Sequence, residues 1–290
     1  MINTKSYAKI NLSFELLSKR DDGLHNVFSI MQTISLHDDI TVRISKGITL
    51  DSNIDSIPIE NNLAYLAASK MKTFFKIKEG VHIDLIKRIP LSSGLGGASS
   101  NAATVIKSLN KLWGINSSDE NLLGLAADLG SDVPFFLTGG TALVSGKGDL
   151  IEQLPNIKKL NLLLLVTENT IKNKTATMYS HVRPIDFTSG DITNKLKTGI
   201  LNKNTSPSYD LFNVFDEIAK SHIPYVNDIS NILLGLGING FHVSGSGPTV
   251  FIIVTNIEKA KELKEILFKK YNKHSFLVKS QHSPNDITEY

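Results

Sequence analysis

Pro90-Leu91-Ser92-Ser93-Gly94-Leu95-Gly96-Gly97-Ala98-Ser99-Ser100-Asn101 is the stretch on which the fold turns. Upstream of it Val81, Ile83 and Leu85 alternate with other residues, the period-two mark of a strand. Downstream, Ser99 to Trp113 reads as a helix stopped by Gly114. A strand that passes through a glycine turn into a helix offers that helix's free N–H groups and partial positive charge to whatever the turn holds. Glycines at 94, 96 and 97 keep Cβ atoms out of the way, so residues 90–100 suit an anion, most naturally a phosphate. Ser99 and Ser100 add hydroxyls at the helix start, and Ser100 is a candidate oxygen ligand for Mg2+. A glycine triplet alone would read as a capped turn; its place between strand and helix favours phosphate. The loop has neither the Gly-Lys-Ser/Thr of a Walker A motif nor the spacing of a dinucleotide fingerprint.

Outward toward the N-terminus, residues 7–17 alternate cleanly, with Ala8, Ile10, Leu12, Phe14 and Leu16 on one face of a half-buried strand. Lys9 and Asn11 stand close together on the other face. Strands are expected over 27–34 and 39–44, and a helix over 61–75 with Asn61 as its cap. Toward the C-terminus, Gly130-Ser131-Asp132-Val133-Pro134-Phe135 sets one carboxylate in an apolar run, where burial is costly without a cation. If Lys9 and Asp132 meet, the aspartate is oriented to take a proton from a hydroxyl that attacks the γ-phosphorus of ATP. Taken singly, the aspartate also reads as a helix cap and the lysine as a solvated side chain; their spacing in the chain does not bring them together.

Pro155 marks the expected boundary between an N-terminal part, 1–157, and a C-terminal part, 158–290. The second part holds a strand over 160–166, helices near 175–182, 191–201, 210–221 and 226–235, and a polar, loop-rich segment over 183–209. Two strands then flank a second glycine turn, followed by a helix over 257–271 and a strand over 274–278. The order of elements predicts α+β domains.

Composition narrows the function. With 31 basic against 28 acidic residues, the net charge of +3 argues against nucleic acid as the main partner. There is no cysteine, which excludes disulfides, thiolate metal sites and cysteine nucleophiles. No apolar run approaches the length of a membrane span, and a patterned strand begins by Tyr7, so the cytoplasm is the expected compartment.

Together these segments resemble the GHMP kinases. Ser6-Tyr7-Ala8-Lys9-Ile10-Asn11-Leu12 looks like the first motif of that family, Pro90 to Ala103 like its phosphate loop, and Ser244-Gly245-Ser246-Gly247-Pro248-Thr249 like its third motif. Asp22-Gly23-Leu24-His25, Gly130 to Phe135 and Thr141 to Gly148 narrow the resemblance to the branch acting on a cytidine diphosphate-linked methylerythritol. The resemblance implies a two-domain α+β fold with its site in the interdomain cleft. It implies phosphorylation of that substrate's 2-hydroxyl by ATP with Mg2+, a step of the non-mevalonate isoprenoid pathway. It further implies Asp132 as general base and Lys9 as its partner, with Pro90, Leu91, Ser92, Ser93, Gly94, Leu95, Gly96, Gly97, Ala98, Ser99 and Ser100 on ATP. Asn62 and Lys87 would border the adenine. Asn11, His25, Thr175, Tyr179, Gly245 and Gly247 would meet the substrate, His25 reading the cytosine edge and Tyr179 offering it a ring. Such a kinase would work as a monomer or weak homodimer on a small molecule, without nucleic acid or membrane. Two positions depart from the pattern: Leu24 where relatives often carry an aromatic, and Asn101 where many carry aspartate. Another GHMP kinase, acting on homoserine, a sugar or a mevalonate derivative, and a non-catalytic nucleotide-binding protein on the same fold stay open as alternatives.

Overall fold

The computed structural model describes residues 1–167, 173–202 and 211–282, with the backbone of 287–289. β1 (Ile2–Lys19) turns at Asp21-Asp22-Gly23 and pairs antiparallel with β2 (His25–Ser45) along nearly its whole length. The chain continues as β3 (Ile48–Ser52), α1 (Leu63–Phe74), β4 (Gly80–Ile86), α2 (Gly97–Leu112), α3 (Asp119–Ala127), α4 (Val133–Thr138), β5 (Thr141–Ser145) and β6 (Leu150–Gln153). Then come β7 (Asn161–Leu165), α5 (Lys174–Ser180), α6 (Asp191–Leu201), β8 (Phe212–Asn213), α7 (Phe215–His222) and α8 (Pro224–Gly235). β9 (Phe241–Val243), β10 (Val250–Val254), α9 (Ile257–Tyr271), β11 (Ser275–Lys279) and β12 (Ile287–Glu289) complete it.

The first sheet runs β12-β1-β2-β4-β3, with β5 and β6 joined beyond β2 and β8 parallel to β1. The second is β11-β7-β10-β9, antiparallel throughout. Gln281 N–H donates to the Thr33 carbonyl at 2.8 Å and links the two. One apolar core lies between the first sheet and α1 to α4, built on Ala67, Met71, Val105, Ile106 and Phe135. A second lies between the sheets, where Ala8, Ile10 and Leu12 of β1 meet Leu162 and Leu164 of β7. A third packs the far face of β7 on α7 and α8.

β1 is longer than its alternating segment and is buried on both faces. The apolar side meets the second sheet, and on the polar side Glu15 accepts the Thr193 N–H of α6 at 2.7 Å. The two strands expected over 27–34 and 39–44 are one strand. Tyr7 faces His37 and Ala8 faces Ile34, so the extra residues are absorbed as a bulge rather than a turn. The cap of α1 is Asn62, not Asn61: its side chain accepts the Ala64 N–H at 3.0 Å. The helix expected over 210–221 begins at Phe215, because Phe212–Asn213 pairs with β1 as β8; residue 210 lies outside the described residues, as does 203–209 of the polar segment. Among the described residues no helix is long and apolar enough to cross a membrane.

Candidate active site

Three pieces of chain converge on one cleft: β1, the turn into α2, and the residue that opens α4. Lys9, on β1, is 3% exposed. Its ammonium donates to Asn11 Oδ1 at 2.8 Å and lies 3.7 Å from the Asp132 carboxylate. Burial holds the Lys9 pKa below its ordinary value, with Asp132 opposing the shift. Asp132 occupies the cap position of α4, yet its side chain bonds no helix N–H and is 33% exposed. It is therefore free to face the cleft. Asn11 is fixed in turn: its amide donates to Ser29 Oγ at 2.8 Å, and its oxygen also accepts the Gly245 N–H at 2.9 Å.

Beside this pair lies a cavity of about 480 Å3 lined by residues 90–94 and 96–99, Lys9, Asn11, Lys87 and Asp132. Gly96 caps α2 in a left-handed conformation and has no side chain to bond the free N–H groups of that helix start. A Cβ on Gly96 would meet the Phe136 ring at 2.7 Å. Gly94 is held as tightly against the second glycine turn, where a Cβ would stand 2.6 Å from the Gly247 carbonyl oxygen. The two turns are bonded together, Ser244 Oγ donating to the Gly94 carbonyl at 3.0 Å and Thr249 N–H to the Ser93 carbonyl at 3.2 Å. The result is a cradle of backbone N–H groups with ammonium groups at its edge, suited to a polyphosphate.

Below the cradle, Asp38 is wholly buried and fully partnered. It accepts the N–H groups of Arg88 at 2.7 Å and Ile89 at 2.8 Å, the Asn101 amide at 2.9 Å, and the Lys87 ammonium. Asn101 also accepts from Lys87 at 3.0 Å. That explains asparagine at 101: an aspartate there would set two carboxylates against one ammonium, whereas the amide donates to one and accepts from the other.

A second cavity, of about 690 Å3, adjoins the first and shares Phe14, Met31, Asp132, Thr175, Ala176 and Tyr179 with it. Strict alternation would turn Phe14 away from Lys9; a register irregularity between Asn11 and Ser13 intervenes, and Phe14 lines both spaces. Gly23, Leu24 and His25 form part of the second cavity. The His25 ring lies 5.1 Å from that of Tyr179 and 6.0 Å from that of Phe187. Burial, then Lys19, pushes the His25 pKa down, which favours a neutral imidazole able both to donate and to accept. Leu24 is 49% exposed, an apolar flank where a ring would stand.

Not every expected residue reaches these spaces. Asn62 caps α1 and lines neither cavity. Leu95 is core. The hydroxyl of Ser100, the expected Mg2+ ligand, is buried and donates to the Tyr7 carbonyl at 2.6 Å; Ser99 is the serine at the cavity. Gly247 backs the turn, with its carbonyl taking the Lys174 ammonium. Sequence reading missed Lys174, because Asn173-Lys174 looks like solvated surface, and Phe187, whose polar surroundings read as loop.

This fold and cleft define a class, that of small-molecule kinases. The GHMP kinases N terminal domain matches residues 62–140 and the GHMP kinases C terminal domain matches residues 200–273. The chain is 37% identical over 262 residues to a 4-diphosphocytidyl-2-C-methyl-D-erythritol kinase of Acetivibrio thermocellus, covering 89% of this chain and 92% of that one. It is 36% identical over 290 residues to the enzyme of the same name from Alkaliphilus oremlandii, covering 99% of each. A crystal structure of 4-(cytidine 5'-diphospho)-2C-methyl-D-erythritol kinase superposes with a TM-score of 0.80 at 28% identity, covering 96% of this chain and 98% of that one. Homoserine kinase from Cytophaga hutchinsonii, at 21% identity and a TM-score of 0.77, shares the fold. The chain belongs to the GHMP kinase family, among the 4-diphosphocytidyl-2-C-methyl-D-erythritol kinases.

Proposed function

We propose that this protein transfers the γ-phosphoryl group of ATP to the 2-hydroxyl of 4-diphosphocytidyl-2-C-methyl-D-erythritol, with Asp132 as general base. One observation supports it above the rest: the Asp132 carboxylate lines both the phosphate-loop cavity and the cavity of His25, and stands 3.7 Å from a buried lysine. A group placed between two sites is positioned to join their contents.

The triphosphate lies over residues 94–99, held by backbone N–H groups, with Lys87 fixed by Asp38 at its edge. The cytidine lies in the second cavity against Tyr179, with His25 on its hydrogen-bonding edge. The substrate oxygen attacks the γ-phosphorus, its proton passes to Asp132, and the bond to the β-phosphate oxygen breaks to release ADP. Lys9 orients Asp132 and offsets the negative charge on the moving group. Positioning supplies much of the rate. Mg2+ fits the oxygen donors present: the Ser99 hydroxyl lines the cavity, and the ion would otherwise be held by phosphate oxygens and water, screening their charge. The parts we assign to the two halves of the cleft are 1–157 and 158–290. The reaction belongs to the cytoplasm and requires neither nucleic acid nor membrane.

A coupled ADP-release assay with the cytidine substrate and its uridine analogue tests this. Turnover that favours the cytidine compound supports the proposal; no turnover of it, with turnover of homoserine, mevalonate or a sugar, would reject it.

A further inference from the structure

The charges that line the phosphate-loop cavity do not balance. Among the described residues that line it, Lys9, Lys87 and Lys174 are cationic and Asp132 is the carboxylate. Asp38, beneath the cradle, neutralises Lys87. Asp132 faces Lys9. Lys174 is left over. It opens α5 and is only 6% exposed, so it is not a surface lysine resting in solvent. Its ammonium donates to a neutral group, the carbonyl of Gly247 in the second glycine turn.

An ammonium has three protons to donate, and one carbonyl does not discharge a buried positive charge. The groups that face it are Lys9 from β1, which repels it, and Asp132 from the start of α4, which attracts it. Tyr179, further along α5, lines the same cavity and is held protonated by burial. Two ammonium groups converging with one carboxylate leave a net positive site, and such a site is completed by an anion.

We infer that Lys174 is a second phosphate-binding cation of this cleft, which exchanges the Gly247 carbonyl for the triphosphate of the incoming nucleotide and thereby ties the second glycine turn to nucleotide binding. The inference rests on the nucleotide assignment of the cavity and extends it to a residue with no role so far. Burial, then the Lys9 charge, brings the Lys174 pKa down to about 8. A bound triphosphate restores the charged form, so nucleotide binding near that pH draws in a proton.

The test is titration calorimetry of the full chain with the Mg2+ complex of a non-hydrolysable ATP analogue at pH about 8, in two buffers of different ionisation enthalpy. Wild type is expected to take up about half a proton on binding. Lys174→Met should bind about 10- to 100-fold more weakly, the loss expected for a charge-assisted contact, and should lose most of the uptake. Lys174→Arg should recover much of the affinity but not the uptake, since a guanidinium stays charged. Equal affinity or equal uptake in wild type and Lys174→Met would overturn the inference and leave the nucleotide assignment standing. Affinity lost in both variants alongside a matching fall in thermal stability would also overturn it, making Lys174 a structural clip on the turn. Failure of wild type to bind the analogue would instead reject the nucleotide assignment.

Discussion

Asp132 and Lys9 show how little separates a structural residue from a reactive one. Both could have been ordinary: a helix cap and a surface lysine. In the fold the cap bond is not made and the lysine is buried, so each is freed for the other. Replacing Asp132 with asparagine keeps the shape and removes the base. Turnover should fall by about 10²- to 10⁴-fold while the KM for ATP changes little, read from steady-state kinetics; turnover near the wild-type level would refute the base assignment. Lys174 gives a prediction about pH. Its pKa is about 8 in the fold against the 10.5 of a free lysine, so between those values the unfolded chain carries more of the proton. By linkage its burial cost is present in full below pH 8 and is relieved as pH rises toward 10.5. Wild type should therefore gain stability relative to Lys174→Met between pH about 7.5 and about 9.5 in urea unfolding, and a constant difference would contradict the shift. At this scale residue type was legible but pairing was not. Lys9 and Asp132 stood out as charges in apolar runs, and the family resemblance joined them where their spacing did not. Ser99 lines the cavity and Ser100 turns to the Tyr7 carbonyl because adjacent serines on a helix point in different directions, which letters do not record.

The elements that carry the site are those whose local signals were strongest. The strand, glycine turn and helix around residues 80–112 follow from alternation, positive-φ glycines and helical spacing, and the structure departs from them by a residue or two. Long-range pairing was the harder part. β2 looked like two strands because Ser35, His37 and Asp38 break its apolar alternation around the bulge opposite Tyr7 and Ala8, and β8 was hidden because two residues beside β1 have no pattern of their own. The contact between the two glycine turns is likewise a matter of tertiary approach. It makes Gly94 sensitive: φ is +83° and a Cβ would press on the Gly247 carbonyl. Gly94→Ala should cost about 1–3 kcal/mol and raise the KM for ATP, seen as a lower urea midpoint and a weaker nucleotide response. A variant as stable as wild type would show that the turns can part without loss.

On the scale of the whole molecule, two sheets share a core at Ala8, Ile10 and Leu12, and the opposite face of the same strand presents Lys9 and Asn11 to the cleft. One strand thus packs the two sheets together and lines the cleft, which ties the geometry of the site to the packing between sheets. The α+β class was readable from the order of elements, and the family resemblance implied the second turn beside the phosphate loop; the adjoining of two cavities at Asp132 was not legible, because it depends on where α4 and α5 come to rest. The most direct test is a crystal structure with a non-hydrolysable ATP analogue and 4-diphosphocytidyl-2-C-methyl-D-erythritol bound together. The 2-hydroxyl is expected within about 2.6–3.2 Å of the Asp132 carboxylate, in line with the γ-phosphorus. A substrate hydroxyl directed away from Asp132, or a triphosphate lying off the 94–99 cradle, would contradict it.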